Sequence, residues 1–223
     1  MQVNPDDAGP DQSDHAGRII QGPKCLVEGA KWLATHDPIM RRILAQTGPL
    51  PLRLGPEGFG ALLDAILGQQ VSTASAQALM ARLRLTGLTQ AARVAATAEA
   101  DLRALGLSRQ KARYAKALAT AEIDYDALRF LPDAEVIAAL TAVTGIGQWT
   151  AEIYTIFALG RADVFASGDL ALQEAARLAY HLPQRPSAKA LAELSSRWSP
   201  WRAVAARALW SYYRVAKGRE GIK

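Results

Sequence analysis

Two helical patterns meet at Gly145-Ile146-Gly147, and that junction constrains the chain more than any other stretch. Ahead of it, Val136, Ile137, Leu140 and Val143 recur at i, i+1, i+4 and i+7, one face of a helix opened by Pro132-Asp133. Behind it, Trp149, Ile153, Ile156 and Phe157 repeat a helical spacing. So short and glycine-rich a link is a tight turn. Without Cβ atoms the backbone reaches dihedrals closed to other residues, and another molecule can approach it closely. The N–H groups of Gly147, Gln148 and Trp149 then open a helix with no acceptors of their own, a ready seat for an anion such as phosphate. The stretch 133–159 reads as a helix-hairpin-helix motif; taken alone, it also suits a compact corner between two helices.

Half of the 223 residues are apolar. Ala, Leu and Arg abound, and the apolar–polar alternation of a half-buried strand is nearly absent, so the expected class is all-α. The length suits one domain or two joined lobes. Lys and Arg outnumber Asp and Glu by 26 to 21, a net charge of +5 that suits a polyanionic partner without proving one. Cys25 is the single cysteine, which rules out an internal disulfide. His15, His36 and His181 lie far apart, so no zinc site is expected. No apolar run is long enough for a membrane span, and no signal peptide is visible. The expected location is the cytoplasm and nucleoid of a bacterium, or the nucleus of a eukaryote.

Along the chain, residues 1–22 are rich in Asp, Gly, Pro and Gln and read as a disordered arm. Residues 25–46 predict a helix and its successor, broken at His36-Asp37-Pro38. Phe59, Leu62, Leu63, Ile66 and Leu67 keep one helical face up to Gly68-Gln69-Gln70-Val71-Ser72, where Ser72 caps the next helix. A second hairpin-like unit lies at 101–118, with a glycine stop at Gly106 and a cap at Ser108. On it Arg109, Arg113 and Lys116 share a face open to two readings: phosphate contact or plain solvation. Ser187 caps a later helix. Ser199-Pro200-Trp201 leads into the last helix, to about Lys217, with a core stripe of Trp201, Val204, Ala205, Ala208 and Leu209 and with Trp210 beside it.

Ser167-Gly168-Asp169 opens a helix, so Asp169 reads first as an N-cap. That role favours an ionised carboxylate. Asp163 is the rival acid, but its place before Val-Phe looks like a loop anchor.

The string Val-Thr-Gly-Ile-Gly-Gln-Trp-Thr-Ala, followed by Asp163-Val-Phe-Ala-Ser-Gly-Asp169, resembles the hairpin and catalytic loop of the helix-hairpin-helix base-excision DNA glycosylases. The likeness covers roughly 30–215 and is strongest to the alkylated-base branch. It implies an all-α, two-lobed fold with the active site in the cleft. The central lobe would be 60–165, and 24–59 would join 166–223 in the second. It implies excision of alkylated purines, chiefly 3-methyladenine, from duplex DNA after base flipping.

Asp169 is then the catalytic carboxylate. Trp149 and Trp210 are the base-pocket walls, although both tryptophans also suit a core. Gly145, Gly147, Gln148 and Thr150 are the phosphate contacts, and Gln70 is the wedge where the best-known relatives carry a larger apolar side chain. A monovalent cation, Na+ or K+, would rest on the carbonyls of Thr141, Val143 and Ile146. Bifunctional members carry a lysine two residues after the second glycine; Trp149 stands there instead, which implies a water nucleophile and no lyase step. Ile153 replaces a pocket tyrosine of the nearest relatives. The single cysteine excludes the four-cysteine iron–sulfur loop of some members. The expected state is a monomer. Two alternatives stand beside this reading: a glycosylase for oxidised or mismatched bases, and a non-catalytic DNA-binding module.

Overall fold

A computed structural model describes residues 17–218, which form twelve α-helices and no sheet; the only bridge pairing among them is Ile19 with Arg161. The helices are α1 (Pro23–His36), α2 (Pro38–Thr47), α3 (Phe59–Gly68), α4 (Thr73–Leu85), α5 (Ala91–Ala96), α6 (Glu99–Ala104), α7 (Arg109–Ala119), α8 (Asp133–Thr141), α9 (Gln148–Phe157), α10 (Leu170–Ala179), α11 (Ala188–Ser195) and α12 (Arg202–Lys217). The expected caps at Ser72, Ser108, Asp169 and Ser187 are in place, and Asp37, expected only as a break, is a fifth; each accepts a backbone N–H in the first turn of the helix it opens.

The apolar faces segregate into two cores. The first gathers α1, α2, α10, α11 and α12 around Leu33, Met40, Ile43, Leu172, Trp198 and Leu209. The second gathers α3 to α8 around Leu62, Leu63, Ile66, Leu102, Val136 and Leu140. Helix α9 serves both, with Ile156 in the first and Ala151 and Tyr154 in the second. Its buried face therefore differs from the expected stripe. Trp149, assigned to that stripe by spacing, is 43% exposed, because a helix between two cores buries two flanks and leaves its first turn at the cleft mouth.

The expected arm of 1–22 includes residues 1–16, which lie outside the described residues. Its last part is packed. Ile20 is buried and donates its N–H to Gly160 O at 2.6 Å. Two buried-arginine networks fix the cleft. Arg161 donates to the carbonyls of Leu128, Arg129 and Leu131 and faces Asp133 at 3.3 Å, holding the start of α8. Arg207 reaches Leu52 O at 3.2 Å, tying the irregular strap at 48–58 to α12. The strap is also pinned to α9, through Gly55 N–H to Phe157 O and Gly58 N–H to the Tyr154 hydroxyl. Asp163 anchors its loop by accepting hydrogen bonds from Ser199 and Arg202, as its position in the sequence suggested.

Candidate active site

Asp169 closes the turn at Ser167-Gly168 with extended backbone and caps α10, its Oδ1 accepting from the N–H groups of Ala171 at 2.9 Å and Leu172 at 3.0 Å. Only 6% of the residue is exposed. Two tryptophans converge on the carboxylate: Trp149 donates its indole N–H to Oδ2 at 2.9 Å, and Trp210 donates to Oδ1 at 3.3 Å. The anion is thus held by four N–H donors at a positive helix end. Trp149 and Trp210 come from different helices, one at each side of the cleft.

The wall behind them is aromatic. Trp210 packs on Phe157 with ring centroids 5.6 Å apart, and the Arg207 guanidinium covers Phe157 at 4.7 Å. Ile153, one turn beyond Trp149, adjoins a cavity of about 350 Å³ that is also lined by Leu62, Thr150, Phe157 and Glu57. Asp169, Trp149 and Trp210 do not line it. Thr150, an expected phosphate contact, is 7% exposed and lines this cavity, since position 150 falls on the inner flank of α9. Its N–H alone remains with the helix end.

At the hairpin, Gly145 adopts φ +102°, and a Cβ there would come within 2.4 Å of the Tyr114 ring. Gly147 differs. Its φ of −88° suits any residue, and a Cβ would meet nothing within 4 Å, so this face is open to an approaching molecule. The N–H groups of residues 147–150 find no backbone acceptor, and no side chain caps α9. Those of Gly147, Gln148 and Trp149 can receive an anion from outside. The carbonyls of Thr141 and Ile146 accept no backbone hydrogen bond, while that of Val143 accepts from Ile146 N–H at 3.0 Å; two of the three expected cation ligands are therefore uncommitted.

Gln70 sits at the α3–α4 turn with φ +57°, exposed beside an exposed Val71. Its neighbour Gln69 donates to Gly145 O at 3.0 Å, which joins the wedge turn to the hairpin. On the α7 face, Lys116 is spent on the carbonyls of Ala95 and Thr97 and is withdrawn from any phosphate. Arg109 and Arg113 stay exposed. Two residues that pattern reading left unassigned adjoin the hairpin: Gln69 and, under Gly145, Tyr114.

Residues 63–200 match the family described as HhH-GPD superfamily base excision DNA repair protein. The DNA-3-methyladenine glycosylase 1 of Schizosaccharomyces pombe is 30% identical over 169 residues, 72% of this chain and 74% of its own. A Bacillus subtilis relative is 30% identical over 114 residues, of which the chain spans 40% of that relative's length. Among solved structures, the S. pombe 3-methyladenine DNA glycosylase Mag1 in complex with abasic DNA superposes with a TM-score of 0.72 at 26% identity, covering 88% of this chain and all of that one. The DNA-3-methyladenine glycosidase of Bacillus halodurans gives 0.77 at 29% identity, covering 91% and 94%. With the matched segment spanning more than half of its length, the chain belongs to the HhH-GPD superfamily of base excision DNA repair proteins.

Proposed function

We propose that the chain is a monofunctional DNA glycosylase that excises alkylated purines, 3-methyladenine among them, from duplex DNA. The observation that carries this reading is Asp169, an anion presented by a helix end and two indoles at the mouth of an aromatic cleft. The names of the relatives point the same way.

The hairpin N–H groups seat a phosphate of the damaged strand, and Gln70 fills the gap as the nucleotide swings out. The purine enters between Trp149 and Trp210, where a base made cationic by alkylation is drawn to indole faces. Its charge also makes it a ready leaving group. As the N-glycosidic bond breaks, the base departs with the bonding electrons and positive charge develops at C1′, which the Asp169 carboxylate stabilises. Water then attacks C1′ and gives up a proton, leaving an abasic site and a free base. Position 149 offers an indole and no amine, so no Schiff base forms there. A monovalent cation held by Thr141 and Ile146 would add charge beside the bound phosphate. One chain supplies both walls of the cleft, which suits a monomer.

Incubation with methylated duplex DNA and chromatography of the supernatant tests the reading. Free methylated purines are expected. Borohydride should trap no covalent adduct; an adduct would replace the water mechanism, and failure to release any base would leave only a DNA clamp.

A further inference from the structure

Helix α12 carries four basic residues, and the described structure accounts for all but one. Arg202 pairs with Asp163, and Lys217 pairs with Glu174 at 3.2 Å. Arg207 spends its donors on the carbonyls of Leu52, Ala203 and Ile156. Arg214 makes no hydrogen bond and no ion pair among the described residues, although it is half-buried. Arg53 is in the same situation on the strap: half-buried, without a partner among the described residues, and held at φ +48° where few side chains rest.

The two guanidinium groups lie near enough to repel one another. Burial and the nearby Arg214 push the Arg53 guanidinium below its ordinary value, and burial and Arg53 push Arg207 down to about 10. Neighbouring cations with no carboxylate partner among the described residues are under mutual repulsion.

Their position says what would relieve it. Helix α12 begins at the end of the molecule away from the hairpin, where Ala203 N–H bonds Ala162 O beyond the end of α9. It rises towards the hairpin end, where Trp210 meets Asp169. Arg214 lies four residues further on, about 6 Å along the axis towards the DNA-facing side. Arg53 is delivered to the same wall by the Arg207–Leu52 hydrogen bond. A nucleotide whose C1′ stood at Asp169 would bring its flanking backbone towards this wall.

We propose that Arg53 and Arg214 form an anion site that grips a phosphodiester flanking the extruded nucleotide, on the wall opposite the hairpin. The inference rests on the glycosylase reading of the cleft. Guanidinium forks match phosphate oxygens and keep their charge at any relevant pH. Because this phosphate reaches the cleft only when the nucleotide is extruded, the pair acts on flipped DNA and not on the undamaged duplex.

The test is a salt titration of binding for wild type, Arg53→Gln, Arg214→Gln, the double variant and Arg214→Lys, on a duplex with an abasic analogue and on its undamaged counterpart. On the abasic duplex the double variant should bind about tenfold more weakly at low salt, with a log–log slope shallower by about one. Arg214→Lys should keep the slope, the undamaged duplex should show no change, and thermal melting should confirm that each variant is folded. Unchanged slopes on both duplexes, or an equal loss on both, overturn the proposal. Base release by wild type is scored separately, so a protein that excises bases yet shows unchanged slopes refutes the phosphate site alone.

Discussion

Trp149 donates its indole N–H to the Oδ2 atom of Asp169 across 2.9 Å, which joins the first turn of the hairpin helix to the cap of the next helix. The arrangement has a counterpart elsewhere in the fold. Asp37 also caps a helix, accepts from two backbone N–H groups, and receives the indole of Trp198 at 3.0 Å together with the Tyr180 hydroxyl at 2.6 Å. Both aspartates are buried, but Trp198 is fully buried whereas Trp149 is 43% exposed. Similar capping chemistry thus holds two carboxylates, one beside a buried indole and one beside an exposed one.

Asp169→Asn should separate capping from catalysis. Asparagine caps a helix about as well as aspartate, so melting should change by less than ~1 kcal/mol. Loss of the anion should cut excision by roughly 10²–10³-fold, while binding to abasic DNA persists. Single-turnover base release beside fluorescence anisotropy reads both; a variant with undiminished release would remove Asp169 from the mechanism.

The indole donors can be tested without emptying the pocket. Trp149→Phe keeps an aromatic wall but deletes the 2.9 Å hydrogen bond. A hydrogen bond to a charged group contributes about 1.5–3 kcal/mol, so excision should fall roughly 10–100-fold. Trp210→Phe deletes the longer 3.3 Å bond and should cost less than Trp149→Phe. Equal rates in wild type and Trp149→Phe would show that the indole acts only as a wall.

The two hairpin glycines should fail differently. Gly145→Ala forces a side chain to φ +102° against Tyr114, and should lower stability by about 1–3 kcal/mol or more, seen in urea denaturation. Gly147→Ala meets no atom and should melt like wild type. Its methyl group stands where a phosphate would approach, so DNA affinity should drop at unchanged stability.

Glu152 gives a pH signature. It is buried in α9, one carboxylate oxygen has no partner, and burial raises its pKa more than the Gln148 hydrogen bond lowers it. A carboxyl with a raised folded-state value favours the fold most below its unfolded value, near 4.5, and that contribution is lost as pH rises through the folded value. Glu152→Gln should therefore match wild type at pH 4 and exceed it by on the order of 1 kcal/mol at pH 8. Paired urea titrations at the two pH values check the sign.

Local rules carried much of this architecture. Helical spacing, the glycine turn at 145–147 and the caps at Ser72, Ser108, Asp169 and Ser187 are decided within a few residues by backbone sterics and unpaired N–H groups, so they were legible in the sequence. The choice of Asp169 over Asp163 came from its surrounding string, and the packing agrees in one respect, since Asp163 is bound up with Ser199 and Arg202. What the sequence could not decide was which flank of each helix faces a partner distant along the chain. Spacing put Trp149 on one helical face with Ile153 and Ile156, but α9 lies between two cores, which turns Thr150 inward and leaves Trp149 43% exposed. The meeting of Trp149, Asp169 and Trp210, and of Arg53 with Arg214, joins segments 20 to more than 150 residues apart. Periodicity reports a residue's own helix; only packing reports what stands opposite it.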